Sequence, residues 1–193
     1  MWKRIGQSGL SYRRRIHYRT PGRLVILWDV SGSMSTAIDL YFPWVYGLVR
    51  RLRNIAVFPF GTRVDEITGI LRQPFPVARV RLARLEQLWA GGTHIGAVLR
   101  EWIHRYADRW LRSDTTFIII SDGWDVGPPE ELSSALRHLR SFDARLIWIN
   151  PLMATPGFEP KTKALLAAKP YIDRMVSGHS EQNLLMLSSH FPV

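Results

Sequence analysis

The sequence predicts an α/β domain: a doubly wound, mostly parallel central sheet with helices on both faces and one antiparallel edge strand. Three observations predict it. Leu24-Val25-Ile26-Leu27-Trp28 and the run Thr116 to Ile120 are continuous apolar stretches of strand length, as expected for strands buried on both faces. Segments with helical spacing of apolar residues separate such runs. Short polar or glycine-containing stretches close the strands where the chain must turn into a helix. Strand alternating with helix is the pattern of βαβ units.

Residues 1–22 read as a basic lead-in, because Gly6, Gly9, Pro21 and Gly22 oppose long regular structure, and residues 23–193 read as the domain. The first strand runs from about Arg23 to Trp28. A helix follows over Asp39 to Arg53, with Leu40, Trp44, Leu48 and Leu52 spaced by four and Pro43 expected in its first turn. Ala56 to Phe60 is a strand, Gly61-Thr62 starts a turn, and Val64 to Ile70 is the expected antiparallel hairpin partner. Val77, Val80, Leu82, Leu85 and Leu88 would share the inner face of a helix over Val77 to Leu88, broken by Gly91-Gly92-Thr93. The helix Ile95 to Leu111 turns Ile95, Val98, Leu99, Trp102, Ile103 and Tyr106 inward. After the second apolar strand and Ser121-Asp122-Gly123, Pro128-Pro129-Glu130-Glu131 opens a helix to Arg140, with proline and acids where a helix N-terminus favours them. Arg145 to Ile149 is a strand stopped by Asn150-Pro151, Lys161 to Ala168 a short helix, Tyr171 to Val176 a short strand, and Glu181 to Ser189 the last helix.

Composition narrows the function. The chain has no cysteine, which excludes disulfides, zinc thiolates, iron–sulfur clusters and thiol catalysis. No apolar run approaches the length of a membrane span, and no apolar stretch follows the basic start Met1-Trp2-Lys3-Arg4, so neither a span nor a signal peptide is expected. The expected location is the cytoplasm. Lys and Arg number 26 against 16 Asp and Glu, a balance compatible with nucleic acid, acidic proteins or anionic surfaces as partners. Arg13-Arg14-Arg15 and Arg19 crowd the start, and Arg50, Arg51 and Arg53 end the first helix.

The chemistry concentrates in three segments. Asp29-Val30-Ser31-Gly32-Ser33 follows the first strand and places a carboxylate and two hydroxyls together, with Gly32 read as permitting a tight turn. Thr93 follows two glycines, and Asp122 ends the second apolar strand. The carboxyl ends of parallel strands share one crest, where open α/β sheets bind ligands. Five hard oxygen donors converging there suit Mg²⁺, with Mn²⁺ or Ca²⁺ also possible. Thr93 alone would be an N-cap and Ser-Asp-Gly alone a turn.

The order Asp29-x-Ser31-x-Ser33, Thr93, Asp122 resembles the metal-ion-dependent adhesion site (MIDAS) of von Willebrand factor A (VWA) domains. Leu27 to Met34, Phe58 to Arg63, Gly91 to Gly96, Ile120 to Asp125 and Trp148 to Leu152 are similar to the CoxE-like branch, over about residues 20 to 190. Members of that branch are commonly longer, with an N-terminal helical part of which residues 1–22 would be a stub. The resemblance implies a Rossmann-like VWA fold in which Ser31, Ser33 and Thr93 approach the metal directly, Asp29 and Asp122 partly through water, and a partner's acidic residue completes the shell. It also implies a non-enzymatic adaptor for a MoxR-type AAA+ ATPase. The client would be a metalloenzyme under maturation, of the carbon monoxide dehydrogenase kind.

Around this set, Asp125 reads as a loop residue or helix cap, the alternative being an acceptor for metal-bound water. Trp124 is open between partner contact and burial. His94 reads as a plain helix-start residue and Ser35 as a local cap. Trp44, Trp89, Trp102, Trp110 and Trp148 read as core aromatics. Two competing functions are a Mg²⁺-dependent phosphatase-like hydrolase and a basic nucleic-acid-associated protein. The first lacks a second carboxylate, since Ser31 stands where one is needed. No Gly-x-Ser-x-Gly elbow and no P-loop are present. The second has charge but no recognition motif.

Overall fold

The computed structural model of the chain describes residues 22–86 and 92–189. The arginines at 13–15 and 19, Leu88, Trp89 and Gly91 lie outside the described residues. Five strands build one sheet: β1 (Arg23–Asp29), β2 (Ile55–Phe60), β3 (Thr115–Ile120), β4 (Arg145–Asn150) and β5 (Arg174–Ser177). Their order is β2-β1-β3-β4-β5, and every neighbouring pair is parallel. The helices are α1 (Ile38–Arg51), α2 (Thr68–Leu71), α3 (Phe75–Glu86), α4 (Ile95–Trp110), α5 (Pro129–Arg140), α6 (Lys163–Ala168) and α7 (Glu181–Ser188).

Side-chain alternation divides the core into two layers. Leu24, Ile26 and Trp28 of β1 face α1, α3 and α7, whereas Val25 and Leu27 face α4, α5 and α6. Trp102 and Trp148 fill the second layer and are fully buried; Trp44 and Trp110 are also buried. α4 and α5 cross closely at Gly96, where a Cβ would come within 2.7 Å of the Leu132 backbone nitrogen.

The topology positions the site. From β1 the chain crosses one way to β2 and then back to the opposite flank for β3, so the crest between β1 and β3 is the switch point where a crevice opens. Trp28 is level with Ile120, so Asp29 and Ser121 leave the sheet side by side.

Three expectations are corrected. The antiparallel edge strand over Val64 to Ile70 is reduced to a single Phe60–Val64 bridge followed by α2. Pro59 of β2 has no N–H for a ladder. Thr68 Oγ1 instead accepts from the Val57 N–H at 3.0 Å, and the Val57 carbonyl accepts from Ile67. Pro43 is the sixth residue of α1, not in its first turn, because the helix already begins at Ile38, directly after a 3₁₀ stretch (Gly32–Ala37). It is exposed, so water can serve the carbonyl it leaves unbonded. Finally, α3 turns Ala78, Leu82 and Leu85 inward and leaves Val77 and Val80 exposed. Phe75 lies edge-on to Phe42 and Tyr46, with ring centroids 5.1 Å apart in both pairs, which fixes the rotation of the helix.

Candidate metal centre

Asp29 ends β1 fully buried. Its Oδ1 accepts the Ser31 N–H at 2.9 Å, folding the chain back on the strand end. The Met34 N–H then bonds the Ser31 carbonyl and starts the 3₁₀ stretch. Ser31 Oγ and Ser33 Oγ lie 3.3 Å apart, the first buried and the second exposed. Gly32 is not at positive φ and has open space around it, so this turn does not demand a glycine.

Asp29 Oδ2 accepts from Ser121 Oγ at 2.7 Å, and Ser121 Oγ in turn accepts the Gly123 N–H at 3.0 Å. Asp122 is buried, and its Oδ1 accepts the Trp124 N–H at 2.9 Å. Gly123 has φ of +80°, and a Cβ there would lie 2.6 Å from Leu165. Trp148 Nε1 donates to the Ser121 carbonyl and Asn150 Nδ2 to the Asp122 carbonyl, at 2.8 and 3.0 Å. The Asp122 loop is thus tied both to β1 and to β4.

Thr93 is buried, and its carbonyl accepts the Val126 N–H at 3.0 Å. It does not cap α4: His94 occupies the position before the helix, and the Ile95 N–H bonds Asp125 Oδ1 at 3.2 Å. The same oxygen accepts the Gly127 N–H at 2.9 Å, while Asp125 Oδ2 is buried without a hydrogen-bond partner among the described residues. Asp125 therefore clasps the Thr93 loop to the Asp122 loop. Trp124 is exposed, which excludes the reading of burial against the neighbouring helix.

The structure brings Ser31, Ser33 and Thr93 to the wall of one cleft of about 400 Å³, together with Gly32, Gly92, Gly123, Trp124, Asp125, Val126 and Thr162. Asp29 and Asp122 are buried at the strand ends next to Ser31 and Gly123 and do not themselves line the cleft. Burial pushes the Asp29 carboxyl up to about 6; hydrogen bonds from Ser31 and Ser121 oppose the shift, and nearby Asp122 adds to it. Among the described residues neither Asp29 nor Asp122 has an ion-pair partner, and the cleft lining holds no Lys, Arg or His. No group of three or more His, Asp or Glu placed to hold a metal occurs among them either, so the donor set depends on its hydroxyls. A hard divalent cation fits this chemistry: oxygen-only donors and two buried carboxylates without a counter-charge.

Sequence reading missed Ser121 and Asn150; its helix-cap reading of Asp125 agrees with the bond to the Ile95 N–H at the start of α4 but leaves out the second bond, to Gly127, that makes it a clasp. Ser121 is the residue beside Asp122 in the same tripeptide, and Asn150 stands one residue beyond the predicted end of β4; both are polar residues at buried strand ends, which was the available signal.

The family described as VWA domain containing CoxE-like protein matches residues 3–184. The chain belongs to this family. No curated protein matches the sequence. Among solved structures, this CoxE-like chain is similar to proximal thread matrix protein 1 from the mussel byssus, with a TM-score of 0.56 and 18% identity over 89% of this chain and 46% of that one. It therefore spans less than half the length of that protein. BatB from Bacteroides thetaiotaomicron gives 0.54 and 15%, over 87% and 96% of the two chains. The pilus adhesin SpaC from Lactobacillus rhamnosus GG gives 0.57 and 10%, over 89% and 29%. At these identities the likeness is one of fold, and this chain's five-stranded parallel sheet flanked by helices is consistent with a Rossmann-like VWA fold.

Proposed function

We propose that this CoxE-like VWA chain is a divalent-metal-dependent protein-interaction module. Ser31, Ser33, Thr93, Asp29 and Asp122 would hold the cation, Mg²⁺ before Mn²⁺ or Ca²⁺. The observation that carries the reading is that three hydroxyl-bearing residues line one cleft, while Asp29 and Asp122 at the neighbouring strand ends are buried with no ion-pair partner among the described residues. A bound cation supplies a counter-charge and presents an electrophilic centre to an outside oxygen, and a partner's Asp or Glu is the ligand such a centre recruits. The protein residues bind and orient; chemistry belongs to the partners, and the chain itself is not an enzyme.

Family membership supports the finer proposal: an adaptor between a MoxR-type AAA+ ATPase and a metalloenzyme client of the carbon monoxide dehydrogenase kind, working in the cytoplasm. No helix among the described residues is long and apolar enough to cross a membrane. Two measurements test the proposal. Titration calorimetry with Mg²⁺ should show binding by the wild type and none by Ser31→Ala. A pulldown from the protein's own cell extract should recover an AAA+ ATPase with Mg²⁺ and lose it with EDTA. Recovery that ignores EDTA or the substitution overturns the reading.

A further inference from the structure

Trp124 and Val126 flank the cleft and are 65% and 70% exposed, although the hydroxyl-bearing residues beside them, Ser31 and Thr93, are buried. Single exposed apolar residues are ordinary, but these two stand at the mouth of one cleft on a backbone that is pinned. The Trp124 N–H bonds Asp122 Oδ1, the Val126 N–H bonds the Thr93 carbonyl, and the Gly127 N–H bonds Asp125 Oδ1, all at 2.9–3.0 Å. A large aromatic held on a fixed loop loses little freedom on binding, which is why such residues anchor interfaces. In the turn after β4, Leu152 and Met153 are also exposed, and Asn150 joins that turn to the Asp122 loop.

We propose that Trp124 and Val126 form an apolar ledge that selects the partner. Its docking segment would carry a large apolar side chain within one or two residues of the acidic residue that reaches the cation. This rests on the metal reading above. Among the described residues the cleft lining offers no basic side chain, so within the cleft the acid gains no selectivity from side-chain charge. Any exposed Asp or Glu would satisfy the cation; the ledge distinguishes among them, because an apolar neighbour seated on it removes both surfaces from water.

The test uses the full chain, titration calorimetry with Mg²⁺ alone, and an array of peptides with a central Asp or Glu whose neighbours are Leu, Phe, Ser or Lys. Expected is Mg²⁺-dependent binding of the Leu and Phe peptides. Trp124→Ser and Val126→Ser should each weaken it by about tenfold or more while leaving Mg²⁺ uptake unchanged. Both side chains are mostly exposed, so these variants keep the fold. Mg²⁺-dependent binding that is indifferent to the neighbouring residue or to Trp124→Ser overturns the ledge and leaves the metal reading standing. Mg²⁺ uptake with no peptide bound also overturns the ledge. Absence of Mg²⁺ uptake, or peptide binding that persists in EDTA, overturns the metal reading and the ledge with it.

Discussion

Asp29 carries a cost that its surroundings only partly offset. Its carboxyl titrates near 6 in the fold against 3.8 in the unfolded chain. Between those values the folded state holds the proton that the unfolded state has released, so stability falls as pH rises through this window. A difference of that size corresponds to about 3 kcal/mol lost at neutral pH. Asp29→Asn removes the charge while keeping an oxygen for the Ser31 N–H. In EDTA at pH 7.5 the variant should melt above the wild type, and the gap should close as the pH is lowered to about 5, where the wild-type carboxyl is neutral. Mg²⁺ should raise the melting temperature of the wild type and leave the variant unmoved. Melts that stay parallel across the pH range would contradict the assignment. Ser121→Ala strips Asp29 Oδ2 of its donor and the Gly123 N–H of its acceptor, both buried. A loss of about 2–3 kcal/mol is expected in denaturant unfolding, and an unchanged midpoint would show that water or another group takes over.

At the scale of elements, two glycines hold the loops and helices in place. Gly123→Ala meets both a positive φ and Leu165 of α6, and Gly96→Ala meets the α5 backbone. Each should cost about 1–3 kcal/mol. Gly123→Ala should also weaken Mg²⁺ binding, because it displaces Asp122, whereas Gly96→Ala should affect stability far more than binding. Calorimetry beside thermal melts separates the two. Most of the fold was legible because β1 and β3 are apolar on both faces and the segments between them keep helical spacing. The five proposed donors were legible for a similar reason: each lies on or just beyond a strand end, or just before a helix. What was not legible depends on contacts distant in sequence. Nothing local in Val64 to Ile70 says that the Thr68 hydroxyl will take the Val57 N–H in place of a strand partner. The periodicity of α3 fits several rotations, and its packing on Phe42 and Tyr46 chooses one. Ser121 acquires its role only once β1 and β3 pair.

On the scale of the whole molecule, a formal net charge of +10 acts at longer range than the cleft. An acidic partner should be steered toward it, so association should slow by about tenfold or more when salt is raised to about 0.5 M. Ser31→Ala should act mainly on dissociation, and stopped-flow mixing resolves the two rates. The central place of β1 has a further consequence, in time rather than space. Ser121 follows Asp29 by 92 residues. During translation at about 5–20 residues per second, one flank of β1 therefore waits roughly 5 to 20 s for the strand that covers it. Throughout that interval the carboxylate at its end has neither its hydroxyl donor nor the loop of Asp122. An incomplete chain would carry the hydroxyls of Ser31 and Ser33 but could not assemble the proposed binding surface, so a partner that reads that surface would engage only chains already synthesised past their second central strand.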